Sequence, residues 1–146
     1  PRLQNDITEV GFKYHMNDVN ATFGLIQLNY LQQNVNKYIE NGMFFDEELK
    51  DVDGIATIKY HDNTKPSYWL YTAIIDRRDD FIKHMQSNGV MCSPLHLRND
   101  RHSIFDDGSH LNGLESFYSN FIHWGCGWWL SQENKIKIVD LIKKGW

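Results

Sequence analysis

The chain has 146 residues and a mass of 17.2 kDa, with 41% hydrophobic and 23% charged residues; this is enough for one domain with its own core and too short for most two-domain cofactor enzymes. Fifteen basic and nineteen acidic side chains leave a formal net charge of -4 with no basic stripe, which argues against a nucleic-acid partner. No apolar run approaches the roughly 20 residues of a membrane span, and no basic start leads into an apolar secretory stretch.

Residues 1–10 are a mostly polar lead-in to Gly11-Phe12-Lys13-Tyr14-His15-Met16, and Asn17-Asp18 then offers two N-cap side chains. Val19, Phe23, Ile26, Tyr30, Leu31, Val35, Tyr38 and Leu49 recur at helical spacing, which predicts a helix over 18–50 with a break near Asn41-Gly42. Residues 51–54 read as a turn, 55–60 as a strand, and 63–67 as a loop. The segment 68–75 is apolar almost throughout and predicts a strand covered on both faces. Asp76 is placed to cap a helix with Phe81, Ile82 and Met85 on its apolar face, which Asn88-Gly89 terminates. A short strand over 90–92, a polar loop over 97–113, a short helix over 114–120 and a short strand over 121–124 follow. Ser131 caps a last helix with Ile136, Val139 and Ile142 on its face and Lys143-Lys144 at the favourable end of its dipole. The order of elements implies an α+β domain, a small mixed or antiparallel sheet covered by helices.

The two cysteines, Cys92 and Cys126, form no disulfide framework and suit a reducing, cytoplasmic setting. Cys126 stands between two glycines without a base in its sequence neighbourhood, and a small buried residue in a tight turn is the favoured reading over a nucleophile. His96, His102 and His110 share one loop, but no zinc-type spacing exists, so exposed loop histidines are preferred to a metal site. Trp128, Trp129 and Trp146 are read as core or interface packing. Two groups carry functional interest. Lys13 and His15 lie just before a helix start, where backbone N–H groups and a mobile cation favour a phosphate, although position alone favours a solvated lysine. His96, Arg98 and Asn99, with Arg101, make a donor-rich loop suited to a phosphate or sugar hydroxyls.

Residues 11–28, GFKYHMNDVNATFGLIQL, resemble the G-[YF]-[NK]-Y-x-M-[TSN]-[DE]-[IV]-x-A-x-x-G-L-x-Q-L segment of the DegT/DnrJ/StrS sugar aminotransferases, which use pyridoxal phosphate (PLP). The Tyr68-Trp69-Leu70-Tyr71 strand, the 79–89 helix, the His96 loop and the Gly127-Trp128-Trp129-Leu130-Ser131 ending follow in that family's order. The resemblance implies the small C-terminal domain of a fold-type I PLP aminotransferase over residues 1–146. Its implied reaction is amino transfer to a nucleotide-linked keto-sugar from a donor such as glutamate, within a homodimer. It also implies that Lys13 stands where a donor reaches the PLP phosphate of the neighbouring subunit, with His15 beside it where arginine is common. His96 is implied to lie near the sugar-nucleotide diphosphate, and Arg98 and Asn99 follow in a run that departs from the commoner proline-rich version.

In this family the PLP lysine lies in a large N-terminal domain upstream of the G-[YF]-[NK]-Y motif. No lysine of this chain stands in a matching context, so the chain is expected to bind no PLP and to be inactive alone, and Pro1 reads as the cut edge of a longer enzyme. The alternative is a non-catalytic binding or oligomerisation module built on the same domain.

Overall fold

A computed structural model describes residues 5–146; the first four residues of the polar lead-in lie outside the described residues. Helix α1 (Asp18–Gln27) starts where the Asn17 side chain accepts a hydrogen bond from the Asn20 N–H at 2.9 Å. One 3-10 turn, Leu28–Tyr30, then leads into α2 (Leu31–Leu49). The break in the long helix thus falls earlier than the sequence suggests. Asn29 donates its side-chain amide to the Ile26 carbonyl at 3.1 Å, competing with the regular backbone ladder there. Asn41 and Gly42 are instead buried in the middle of α2.

The sheet comprises β1 (Ile55–Thr57), β2 (Leu70–Ile75), β3 (Cys92–Ser93) and β4 (Phe121–Gly125), antiparallel throughout in the order β1-β2-β4-β3. The first strand is half as long as predicted. Along β2, Tyr71, Ala73 and Ile75 are buried while Leu70, Thr72 and Ile74 are half-buried, so only one face is fully covered. That face meets Phe45 and Leu49 of α2, Phe81 and Met85 of α3 (Arg78–Ser87), and Ile138, Val139, Leu141 and Ile142 of α5 (Gln132–Lys143). Full burial of each large side chain contributes about 1.5–3 kcal/mol relative to exposure. The other face receives α4 (Asn112–Asn120), whose Phe117 ring stacks on Phe121 at 4.9 Å.

Two local expectations are corrected. Asp76 caps no helix: its N–H donates to the Gly54 carbonyl and its own carbonyl accepts from the Trp146 indole, both of which hold it at the end of the sheet. Arg77 takes the N-cap position in a left-handed conformation, φ 51° and ψ 46°. In α5, Ser131 does cap through the Asn134 N–H, but Ile136 is exposed and the buried face runs through Ile138, Val139, Leu141 and Ile142. Trp146 packs edge-on against Phe81 at 5.0 Å, as its aromatic character suggests, whereas Trp128 and Trp129 remain largely exposed.

The seat of α2 on the sheet depends on two neighbouring residues. A β-carbon on Gly42 would lie 2.1 Å from the Tyr68 ring, so only glycine lets that ring reach the helix. The Asn41 amide donates to the carbonyls of Cys126 and Gly127 at 3.0 and 2.9 Å. Tyr68 is strained, with φ 47°, and is held by its hydroxyl donating to Asp46 at 2.5 Å; Tyr71 donates to the same carboxylate at 2.8 Å. Cys126 is fully buried and its thiol lies 2.6 Å from the Tyr68 carbonyl. Burial pushes the Cys126 thiol up to about 12 and the Cys92 thiol up to about 11, so neither is a nucleophile at neutral pH.

Gly42→Ala is expected to lose about 1–3 kcal/mol of stability, through overpacking against Tyr68. An unchanged urea midpoint would show that the ring can move aside. Both thiols of the native chain are expected to resist a disulfide reagent at pH 8 and to react together on unfolding; fast modification of the native chain would contradict the buried placement.

Candidate functional site

The two groups singled out in the sequence occupy two different surfaces. Residues 5–17 form neither helix nor strand. Their start is fastened to the loop after β3. The Asp6 carboxylate accepts from the Ser103 N–H and hydroxyl at 2.8 and 2.7 Å, and Ile7 donates to His102 Nδ1 at 3.3 Å while accepting from the Ile104 N–H. His102 is therefore buried, 8% exposed, rather than a free loop histidine. These bonds hold the Asp6 carboxyl below the usual carboxylate range, the Ser103 hydroxyl contributing most.

Beyond this fastening the chain stands off the core as an arm. Phe12 and Tyr14 stack on each other at 5.9 Å, and both are exposed. Helix α1 has no buried residue: Val19 and Phe23 are each 64% exposed, Leu25 and Ile26 are exposed too, and so is Leu28 just beyond it. The apolar spacing that predicts a core face is real, but none of the described residues covers it. Lys13, Tyr14, His15, Met16 and Asn20 line one open hollow at the capped start of α1. The Lys13 ammonium and the positive end of the helix dipole both favour an anion there.

The second surface is the loop after β3. His96 is exposed and lies between two rings, Trp69 at 6.1 Å and His123 at 5.6 Å. Trp69 is 63% exposed; it follows the strained Tyr68 directly. Arg98 is engaged within the chain. Its Nε donates to both Asp100 oxygens at 2.9 and 3.2 Å, and its terminal nitrogens reach Asp100 and Glu115. The Asp100 hydrogen bond, then that of Glu115, raises the guanidinium's affinity for its proton, and Arg98 in turn lowers the Asp100 carboxyl. Asn99 opens the 3-10 turn Asn99–Arg101, whose Asn99 carbonyl accepts from the His102 N–H. Arg98 thus braces the loop against α4 instead of presenting an uncommitted fork to a ligand. Among the described residues no group of three metal-ligating side chains converges.

Sequence reasoning passed over Thr72 and His123. Thr72 Oγ1 is 2.8 Å from His123 Nδ1, and the two are register partners on β2 and β4. Burial first, and His96 second, lower the His123 pKa, favouring its neutral form. The alternation of Phe121, His123 and Gly125 against Ile122 and Trp124 was the available signal, but it needed the strand pairing to show which rings meet.

The resemblance to sugar aminotransferases is confirmed by comparison with known proteins. Residues 2–143 match the DegT/DnrJ/EryC1/StrS aminotransferase family. The UDP-4-amino-4,6-dideoxy-N-acetyl-beta-L-altrosamine transaminase of Campylobacter jejuni is 34% identical over 71 residues, 49% of this chain and 19% of the relative. The dTDP-4-amino-4,6-dideoxy-D-glucose transaminase of Shigella dysenteriae is 33% identical over 92 residues, 60% of this chain and 25% of the relative. Among solved structures, AtS13 from Actinomadura melliaura superposes with a TM-score of 0.84 at 32% identity, covering 99% of this chain and 39% of that one. The sugar aminotransferase CalS13 from Micromonospora echinospora gives a TM-score of 0.85 at 29% identity, covering 97% of this chain and 38% of that one. The chain therefore spans well under half the length of these relatives. No helix among the described residues is long and apolar enough to cross a membrane. With the α+β fold, the motif on the arm and the family match in agreement, the chain belongs to the DegT/DnrJ/EryC1/StrS aminotransferase family.

Proposed function

We propose that the chain is the small C-terminal domain of a PLP-dependent aminotransferase that acts on a nucleotide-linked keto-sugar, and that it does no chemistry until a PLP-lysine domain is joined to it. The observation that carries this reading is the arm. It holds the family segment, exposes Phe12, Val19, Phe23, Ile26 and Leu28, and turns no residue of α1 into the core. An exposed apolar surface of that size is normally covered by another body. A large domain and a second subunit of a homodimer suit it. A reducing, cytoplasmic setting suits the two free buried thiols.

The donor set on the arm fits a phosphate. Lys13 supplies the charge beside the start of α1, which the Asn17 side chain fixes through the Asn20 N–H. When bound, PLP supplies an electron sink at the substrate's amino-bearing carbon. Lys13 would hold its phosphate, and His15 would line the same hollow. His96, exposed beside Trp69 and His123, would donate to the sugar nucleotide. Arg98 and Asn99 would serve the same substrate less directly, by shaping the His96 loop through Asp100 and Glu115.

The 146-residue chain incubated with PLP is expected to give no lysine-linked absorbance band. In an enzyme joining it to a PLP-lysine domain, the band is expected. There Lys13→Ala is expected to weaken cofactor retention roughly tenfold, the scale of one charged hydrogen bond. His96→Ala is expected to raise the KM for the nucleotide sugar. A lysine-linked band on the isolated chain, or unchanged retention and KM in the two variants, would contradict the proposal.

A further inference from the structure

The segment 94–111 joins β3 to α4 and contains one 3-10 turn as its only regular element. Connections longer than roughly 12–15 residues are uncommon in compact domains and usually carry function or stay disordered. This one is built as a braced block that begins beside His96. The Tyr118 hydroxyl of α4 donates to the Leu97 carbonyl at 3.3 Å, and Arg98 reaches Asp100 and Glu115. The turn Asn99–Arg101 follows, closed by the His102 N–H on the Asn99 carbonyl. The Phe105 N–H closes the next turn on the His102 carbonyl at 2.9 Å. Ion pair and turns tie residues 97–105 into one piece, with His96 at its leading edge.

Helix α4 holds only the near end of that block. The far end is held by Asp6 and Ile7, 95 to 97 residues away in sequence. Asp6 accepts from the Ser103 N–H at 2.8 Å and from its hydroxyl at 2.7 Å. Ile7 donates its N–H to His102 Nδ1 and accepts from the Ile104 N–H, both at 3.3 Å. A backbone N–H only donates, so His102 Nδ1 is the acceptor and the bond sets the ring's orientation. Among the described residues, no other segment outside the loop hydrogen-bonds to 102–105. Without Asp6 and Ile7 the block is a lever fixed at one end.

We propose that Asp6 is a positioning residue for the sugar nucleotide: with Ile7 it clasps the far end of the 97–105 block and so sets His96, without touching the substrate itself. The proposal rests on the reading of His96 above and adds the device that aims it. An ionised carboxylate that takes two donors from one serine is charge-assisted and directional, which suits a clasp. The same two bonds hold the Asp6 carboxyl below the usual carboxylate range, so it is ionised at pH 7.

The test uses the enzyme that joins this chain to its PLP-lysine domain, with UDP-N-acetylglucosamine and dTDP-glucose as probes. Asp6→Ala is expected to weaken the better-bound probe roughly two- to tenfold, the scale of one net hydrogen bond, and to leave the lysine-linked PLP band in place. Asp6→Asn offers an oxygen to the Ser103 N–H and an amide to the Ser103 hydroxyl, and is expected to recover most of that affinity. A clasp that acts through His96 matters only while His96 is present. The double variant Asp6→Ala/His96→Ala is therefore expected to bind within about twofold of His96→Ala alone, whereas a merely structural role would multiply the two losses. In the 146-residue chain, the Ser103 and Ile104 amides are expected to exchange more slowly than in its Asp6→Ala variant. Multiplied losses, no loss in Asp6→Ala, no recovery in Asp6→Asn, or equal amide exchange would overturn the proposal. Should Asp6→Ala not fold, Ser103→Ala, which removes the hydroxyl bond alone, takes its place in the same cycle. If His96→Ala weakens binding and Asp6→Ala does not, the inference fails and the reading of His96 stands. If His96→Ala binds as the wild type does, or neither probe binds the wild type, that reading fails and the inference with it.

Discussion

At Gly42 the ring of Tyr68 occupies the space a β-carbon would need, and beside it the Asn41 amide closes on the carbonyls of Cys126 and Gly127. Helix α2 is thereby locked onto the segments that flank both central strands from one turn of its length. Two buried hydrogen bonds and one close ring contact fix its height and rotation. The hydrophobic contacts of Phe45 and Leu49 then follow from helical spacing alone. A buried amide left without those carbonyls would be costly, which makes this seat selective as well as tight.

The consequences reach the opposite face. Asp46, one helical turn beyond Gly42, receives the hydroxyls of Tyr68 and Tyr71 and holds Tyr68 in its left-handed conformation. That conformation ends the incoming loop and turns Trp69 outward, against His96. Tyr71 faces the core, and its strand neighbour Thr72 faces the other way, against His123. One helix–sheet contact thus positions the strained residue, the exposed indole and the histidine pair. Strain at Tyr68 is tolerated because three independent contacts over-determine it.

The sequence disclosed the elements better than the contacts among them. Asn17 and Ser131 were legible as caps because their hydrogen bonds are local, made within three residues. Asp76 was misread because the competing partners, Gly54 and Trp146, lie 22 and 70 residues away. Asn41-Gly42 looked like a helix breaker, since intrinsic propensity penalises both residues, yet tertiary contact overrode that preference. Arg98 was legible as a donor and His102 was read as an exposed loop histidine, but their actual partners, Asp100 and Glu115 for the one and the Ile7 N–H for the other, showed that they build the loop. Thr72 and His123 were invisible until strand register paired them.

Helix α1 shows the limit of periodicity in another way. Val19, Phe23 and Ile26 recur as a core face should, but periodicity says only that a face will be covered and not by what. On the proposed reading the missing term is a second body that covers this helix and an anion that meets Lys13. The most direct measurement is a crystal structure of this chain joined to its PLP-lysine domain with cofactor bound. The account predicts that the apolar residues of α1 are buried against the large domain or the partner subunit, with Lys13 on the cofactor phosphate. An arm that stays exposed, with Lys13 remote from the phosphate, would contradict it.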